Sequence, residues 1–405
     1  EAVAPFIDVT VSGIYRYLTP EAINASRDFI KEKSVSHGDT TVIRDYKGNW
    51  TWHDLDLGSD TLASHLYDIG VRKGTHVGLV GLNSINFIMC FYAIQKLGAL
   101  AVLMNYSLKP TEITAHIEAS DIAYMCIGNL SYGTDEENLT RELLAATNGL
   151  KNIFYFENLP ADELVDSGSK NGVRFFPADV EADDSCIMIF TSGSTGRPKG
   201  VILSAYNVLN AANISRKSQN LTSDSISCNI LPLFHIFGLV AGLFASAFAD
   251  ALLVLPKDMH VSTLMNTIES NRCTVFHSVP TMFLAILTNK DFNPERLSTL
   301  RCTILSGSAA TKTQLDLFRE KLPKNHFLSS YGLSEMAPVT ITDFEDTPEH
   351  ITDTVGKPMD YIEMNIADLS DGHRCAIGET GEILIQGYNL MAGYYKTDID
   401  NQSID

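Results

Sequence analysis

Residues 186–201 read CIMIFTSGSTGRPKGV. Cys186, Ile187, Met188, Ile189 and Phe190 form an apolar run of the length and type of a buried strand. At Thr191 the composition changes. The next ten residues hold the glycines Gly193, Gly196 and Gly200, the hydroxyls of Thr191, Ser192, Ser194 and Thr195, and Lys199. A glycine-rich turn at a strand end offers backbone N–H groups to an anion, hydroxyls add donors, and a lysine adds charge. The glycines permit close approach and unusual dihedrals. A plain surface turn draws on the same residue types, but the whole string points to a phosphate. It is not a Walker A loop, because Lys199 is preceded by Pro198 and followed by Gly200, and no G-x-G-x-x-G occurs.

Working outward, the chain alternates strand and helix patterns. Leu62, Leu66 and Ile69 recur at helical spacing and Gly70 stops that helix. His76–Gly81 reads as a strand, Ser84–Leu97 as a helix and Ala101–Met104 as a strand. Pro110 opens another helix before a strand at Ala123–Ile127. This βαβαβ order predicts a parallel sheet. Residues 130–185 are acidic and loop-rich, and predict surface connections with one or two short elements. Beyond the glycine-rich loop, Val201–Leu203 continues extended and Ala205–Arg216 is helical. Thr274–Val279, Cys302–Ser306 and His326–Ser330 are strands, with helices near 280–288 and 312–322: a second parallel α/β unit. From about residue 350 the period becomes two, as in YIEMNIADLSDGH and GEILIQG. The expected fold is therefore α/β, with two parallel-sheet subdomains (residues 1–200 and 201–345) and a small antiparallel sheet or barrel (346–405). N-terminal strands and helices are free to pack on the second subdomain.

Composition narrows the function. At 405 residues more than one domain is expected. A net charge of −19 argues against nucleic acid as the main partner, since phosphate backbones are bound by basic surfaces. The seven cysteines are scattered and odd in number, without C-x-x-C, which fits reduced thiols in a cytoplasmic protein. The longest apolar stretch, Ile236–Ala249, is shorter than the about 20 residues a membrane span takes and reads as a buried helix.

The string TSGSTGRPKGV resembles the signature of the adenylate-forming enzymes: acyl-CoA and aryl-CoA synthetases, nonribosomal peptide adenylation domains and beetle luciferases. LPLFHIFGL (231–239), SGSAA (306–310), SSYGLSE (329–335), VGKP (355–358) and GEILIQGYNLMAGYY (381–395) follow in that family's order. Enzymes of this family join a carboxylate to ATP, giving an acyl-adenylate and pyrophosphate, and a thiol then takes the acyl group. The resemblance implies that Thr191, Ser192, Gly193, Ser194, Thr195, Gly196 and Lys199 hold the β- and γ-phosphates. It gives Glu335 to Mg2+, a hard cation that prefers carboxylate oxygen, and Ser334, where most relatives carry threonine, to the α-phosphate. Tyr331 would stack on adenine, and Gly307, Ser308, Ala309, Ser329, Ser330 and Gly332 would line the adenine and acyl sites. His235 would orient the carboxylate or gate the acyl pocket, beside Phe237 and Gly238; Val240 and residues 278–283 are further lining candidates. His235, Ser334 and Glu335 are thus the catalytic candidates.

Some positions depart from the pattern: Ala205 for a frequent histidine, Ala310 for proline and Gln386 for arginine. Relatives also continue past the tyrosine pair to a T-G-D aspartate, a hinge and a further domain carrying a lysine, whereas this chain stops at Asp405. It is expected to represent the N-terminal, substrate-binding part, slow to adenylate alone. The resemblance implies an ATP- and Mg2+-dependent acyl- or aryl-CoA synthetase with coenzyme A as co-substrate. A carrier-protein-loading adenylation domain, a luciferase-type oxygenase and a non-catalytic nucleotide- or acyl-binding module are the alternatives.

Overall fold

The computed structural model describes residues 26–133, 135–176, 178–191 and 199–396. Its strands in chain order are β1 (Thr41–Arg44), β2 (Asn49–Thr51), β3 (His76–Val80), β4 (Leu100–Met104), β5 (Tyr124–Ile127), β6 (Asn152–Tyr155), β7 (Ser185–Thr191), β8 (Lys199–Ser204) and β9 (Ile226–Asn229). They continue with β10 (Leu252–Val254), β11 (Val275–Ser278), β12 (Cys302–Leu305), β13 (His326–Tyr331), β14 (Thr340–Ile341), β15 (Lys357–Pro358), β16 (Ile362–Ala367), β17 (Glu382–Gly387) and β18 (Gly393–Tyr394). One sheet runs β18-β8-β7-β4-β3-β5-β6, and the other β15-β14-β13-β12-β11-β9-β10-β1-β2.

Both sheets are parallel in their centres; the first is antiparallel at one edge and the second at both. In the first, β8 and β18 are antiparallel to their neighbours. In the second, β14, β15 and β2 are. β1 and β2 precede every strand of the first sheet yet join the second, β1 lying parallel to β10. A division at residue 200 runs through β8, which belongs to the first sheet together with β18 from the last segment. The period-two region forms the antiparallel pair β16–β17, in register from Ile362↔Gly387 to Ala367↔Glu382. Among the described residues this unit has two strands.

Strand alternation sets the layers. Leu79, Ala101, Leu103, Ile187 and Ile189 from one sheet share a core with Val275, Cys302 and Ile304 from the other. That core is filled by the helices Ile85–Lys96 and Ala205–Ser218 and by the helical stretch 237–248. The opposite face of the first sheet (Val102, Met104, Met125, Met188) is covered by the helices Pro110–Ala119 and Glu136–Ala146. The outer face of the second (Phe276, Leu305, Phe327) is covered by Val261–Asn271, Pro280–Leu287 and Lys312–Lys321. The chain thus forms five layers, α/β/α/β/α. Side chains cap the starts: Ser84 accepts from Phe87 N, and Ser204 with Asn207 closes a capping box.

Two regions differ from the sequence reading. Residues 130–185 hold two eleven-residue helices, Glu136–Ala146 and Ala161–Asn171, besides β6. Each buries only two or three side chains in an acidic surround, so the apolar period was faint. The second packs closely on the helix Trp52–Asp68 because Gly168 has no side chain; a Cβ there would sit 2.4 Å from the Leu57 carbonyl oxygen. The other region is Ile236–Ala249, whose first part, Phe237–Phe244, winds as a π-helix. The Asn229 side chain is pressed against it, donating to the Gly238 carbonyl at 3.1 Å, and a Cβ on Gly242 would meet Asn229 Nδ2 at 2.5 Å. An inserted side chain of this kind favours a widened turn, and π-turns cluster at functional sites. All seven cysteines are free thiols, six of them buried.

Candidate active site

A cavity of about 210 Å3 opens beyond the C-terminal ends of β12 and β13, the end at which open α/β sheets bind ligands. Its apolar wall comes from the π-helix and its approach, through Ile236, Phe237, Val240 and Ala241, with Leu333, Ala337 and Pro338 facing them. Its polar wall is Ser306, Gly307, Ser330 and Ser334. Gly307 has φ +81°, a conformation that favours glycine at the turn leaving β12.

His235 lies open to this cavity between the two walls. Phe237 N–H donates to His235 Nδ1 at 3.3 Å, so the neutral ring carries its proton on Nε2 and presents a donor. Burial among the cavity walls holds its pKa below the ordinary histidine value, which keeps the ring neutral near pH 7.

Behind Phe237 stands a second histidine that the sequence reading did not single out. His277 is fully buried on β11, its ring 6.2 Å from Phe237 at 81°. Its Nε2 lies 2.7 Å from Gln219 Oε1. Gln219 spends its own N–H groups on Ser215 Oγ and the Ala241 carbonyl, so His277 Nε2 is the donor. Burial lowers its pKa to about 4, against a smaller opposing pull from the Ala241 backbone. A folded-state pKa depressed below the unfolded value near 6.5 gives stability that is present at neutral pH and lost as pH falls between about 6.5 and 4. The expected loss attributable to His277 is roughly 3 kcal/mol at most. Urea unfolding at pH 7.5 and 4.5 should show the parent losing about 2–3 kcal/mol more than His277→Leu on acidification. A parent–variant gap that does not change with pH contradicts it.

The glycine-rich-loop candidates Ser192, Gly193, Ser194, Thr195 and Gly196 lie outside the described residues; the two ends of the loop, Thr191 and Lys199, do not. Thr191 and Lys199 face each other across the β7–β8 ladder. The Lys199 ammonium sits 4.8 Å from the centre of the Tyr394 ring and, among the described residues, joins no ion pair. Tyr394 Oη donates to Glu335 Oε1 at 2.8 Å. Glu335 is half-buried and likewise has no cationic partner among the described residues. Its remaining carboxylate lone pairs, beside the loop's lysine, make it a suitable hard-oxygen ligand for a divalent cation.

Other candidates from the sequence fall around this centre. Ser329 is fixed by its N–H to Thr342 Oγ1 at 2.9 Å, and Tyr331 is half-buried in the β13–β14 pairing; neither lines the cavity. Ser308 and Ala309 are exposed beside it. Gly238 lies behind the wall, where a Cβ would meet the Pro232 carbonyl oxygen at 2.4 Å, and residues 278–283 are not part of the lining. Asn207 caps its helix and donates to the Tyr388 carbonyl at 2.7 Å, a structural tie to the end of β17. His373, grouped with Asp368 and Asp371, lies in an exposed turn and bonds Asp371 at 2.5 Å. Sequence reasoning missed Ala337, Pro338 and Tyr394. The first two adjoin the SSYGLSE motif, and Tyr394 lies within GEILIQGYNLMAGYY, but nothing in a linear motif pairs it with Glu335.

The family described as AMP-binding enzyme matches residues 30–395. The acyl-CoA ligase sidI of Aspergillus fumigatus is 29% identical over 381 residues, covering 90% of this chain and 64% of that protein. The 4-coumarate–CoA ligase 3 of Arabidopsis thaliana is 27% identical over 378 residues, covering 90% of this chain and 66% of the relative. The chain therefore spans just under two thirds of the length of these relatives. The crystal structure of a long-chain-fatty-acid–CoA ligase from Archaeoglobus fulgidus superposes with a TM-score of 0.81 at 24% identity, covering 93% of this chain and 77% of that one. At that identity the likeness concerns the fold.

Proposed function

The chain belongs to the AMP-binding enzyme family, and from that premise we propose that the whole protein is an ATP-dependent acid–thiol ligase. A carboxylate oxygen attacks the α-phosphorus of ATP, pyrophosphate leaves, and the acyl-adenylate then gives its acyl group to the sulfur of coenzyme A with release of AMP. The observation that carries this reading is the cavity itself. An apolar wall and a row of hydroxyls meet at one neutral histidine, where a buried acyl chain and a phosphate could adjoin.

The roles follow from the chemistry. Both reactants are anions, so charge must be offset while the carboxylate is aimed. Thr191, Lys199 and the loop between them would bind the β- and γ-phosphates. Glu335 would hold Mg2+, which when bound neutralises phosphate charge. Ser334 would contact the α-phosphate, and Gly307, Ser330 and Gly332 would border the nucleotide. His235, neutral and with Nε2–H free, donates to one carboxylate oxygen and leaves the other to attack; no proton transfer is required. No described helix is long and apolar enough to cross a membrane. A cytoplasmic setting, suggested by seven unpaired thiols, is part of the same proposal.

The cavity also bears on the acid. Among the described residues its acyl side contains no ionised side chain, and burying an unpaired second charge is costly. The substrates are therefore uncharged beyond their carboxylate: aliphatic acids of medium length or single-ring aryl acids. Pyrophosphate exchange by the whole protein should run with octanoate or benzoate and fall at least about a hundredfold with malonate or aspartate. Phe237→Ala, which opens the apolar wall, should shift kcat/KM toward longer acids by about tenfold. Exchange with no acid refutes the ligase reading; exchange only with the doubly charged acids refutes the substrate class. Carrier-protein loading without consumption of coenzyme A would replace the second half-reaction.

A further inference from the structure

The last strand of the first sheet brings one aromatic side chain against both charged groups of the phosphate end. β18 pairs with β8, Tyr394 opposite Val201, and the chain before it is bonded to the Glu335 segment through Met391 N–H to the Glu335 carbonyl at 2.8 Å. After it, Tyr395 N–H donates to the Gly200 carbonyl at 2.8 Å, and Tyr395 Oη and Lys396 Nζ both bond Asp121 at 2.6 Å. Tyr394 is thus clamped by main-chain contacts on both sides, independently of its own hydroxyl. That hydroxyl reaches Glu335, while the face of the ring lies under Lys199.

We propose that Tyr394 is a positioning residue: its phenol orients the Glu335 carboxylate for a divalent cation, and its ring seats the Lys199 ammonium for the nucleotide phosphates. The proposal rests on the reading of Glu335 as the magnesium ligand. A carboxylate held at one oxygen keeps its other lone pairs in a fixed direction, and hydrogen bonds behind a ligand of this kind tune metal affinity strongly. A lysine over a tyrosine face is held by the ring quadrupole without being neutralised, so its charge stays available to an anion.

The two functions separate experimentally. ATP binding to the whole protein is measured by calorimetry with Mg2+ and, separately, with EDTA, and the ratio of the two dissociation constants reports the metal's contribution. Tyr394→Phe keeps the ring and should reduce that ratio about tenfold while leaving metal-free ATP affinity within about twofold. Glu335→Gln should abolish the ratio, and adding Tyr394→Phe to it should change nothing further, because the phenol acts through Glu335. Tyr394→Leu should additionally weaken metal-free binding severalfold, as Lys199 loses its seat. Thermal unfolding confirms that each variant is folded. The proposal is overturned if Tyr394→Phe keeps the parental ratio while Glu335→Gln loses it, or if Tyr394→Phe weakens both conditions by one common factor. An unchanged ratio in Glu335→Gln overturns the metal reading of Glu335 itself.

Discussion

Replacing Lys96 by methionine should cost about 3–5 kcal/mol of folding stability. Lys96 is 5% exposed, and its ammonium donates to Asp56 Oδ1 at 2.7 Å, Asp60 Oδ1 at 2.6 Å and the Asp56 carbonyl at 2.8 Å. It ends the helix Ile85–Lys96 and bonds the helix Trp52–Asp68 beneath the first sheet. Asp56 has a second cation in Lys31, at 3.0 Å and largely exposed; Asp60 has no other among the described residues. The two carboxylates show the consequence. Burial pushes both upward, but the charges and hydrogen bonds of Lys96 and Lys31 bring Asp56 below the usual range, whereas Asp60, hydrogen-bonded to Lys96 alone and repelled by Asp56, stays above it. Methionine fills nearly the same volume, so the variant removes the charge and its hydrogen bonds without opening a large cavity. Two buried acids are then left with one exposed lysine. Chemical denaturation monitored by circular dichroism reads the loss, and Asp60→Asn in the Lys96→Met background should recover part of it, since the charge that remains is the cause. A loss under about 1 kcal/mol contradicts the argument. The expected cost is a large share of the about 5–15 kcal/mol that a folded protein has to spare.

That network marks the boundary of what the sequence revealed. The apolar runs at 76–80, 101–104 and 186–190 have strand length and sit between helical periods, so the parallel centre of the first sheet could be read directly. Lys96, Asp56 and Asp60 look like surface charges in one dimension, because their burial depends on two helices meeting. The same reason hid β1 and β2. Thr41–Arg44 and Asn49–Thr51 are short and lie far along the chain from β10, their neighbour through β1; only the closed sheet shows where they belong. β10 itself is three residues long and separated by only two residues from the apolar stretch 236–249, too short and too near it to stand out as a strand.

The site divides along similar lines. The glycine-rich loop reads as an anion site from its own residue types, whereas His235 and the SSYGLSE run are contiguous strings that stand out only by their resemblance to a family's motifs. Phe237 and Val240 followed from adjacency to His235. Gly238, within the same string, faces the other way because the π-helix changes which residues share a face. His277 offered no signal, being one histidine in a strand, and its bond to Gln219 spans 58 positions. Tyr394 and Glu335 are separated by 59 and meet only because β18 returns to the edge of β8.

The largest catalytic effect should come from Lys199. With Lys199→Ala, kcat/KM for ATP in pyrophosphate exchange by the whole protein should fall by about 10²–10³, the scale seen when a single preorganised donor to a developing charge is removed. The chain carries a net charge of −19 and so repels a polyphosphate anion as a whole. Against that background a local cation must act at contact distance, where bulk salt screens it least. Lys199 meets the requirement. It stands at the first position of β8, paired with Thr191 across the loop, and its ammonium lies on an aromatic face instead of a carboxylate. The KM for the acid should stay within about twofold, because the residues bordering the acyl side of the cavity come from other elements. Lys199→Arg should recover only part of the loss, since a planar guanidinium does not fill the place of a compact point charge. A fall of less than tenfold for Lys199→Ala, or an equal rise in the KM for the acid, would remove the phosphate from the loop at 191–199 and with it the reason to place ATP at this end of the cavity.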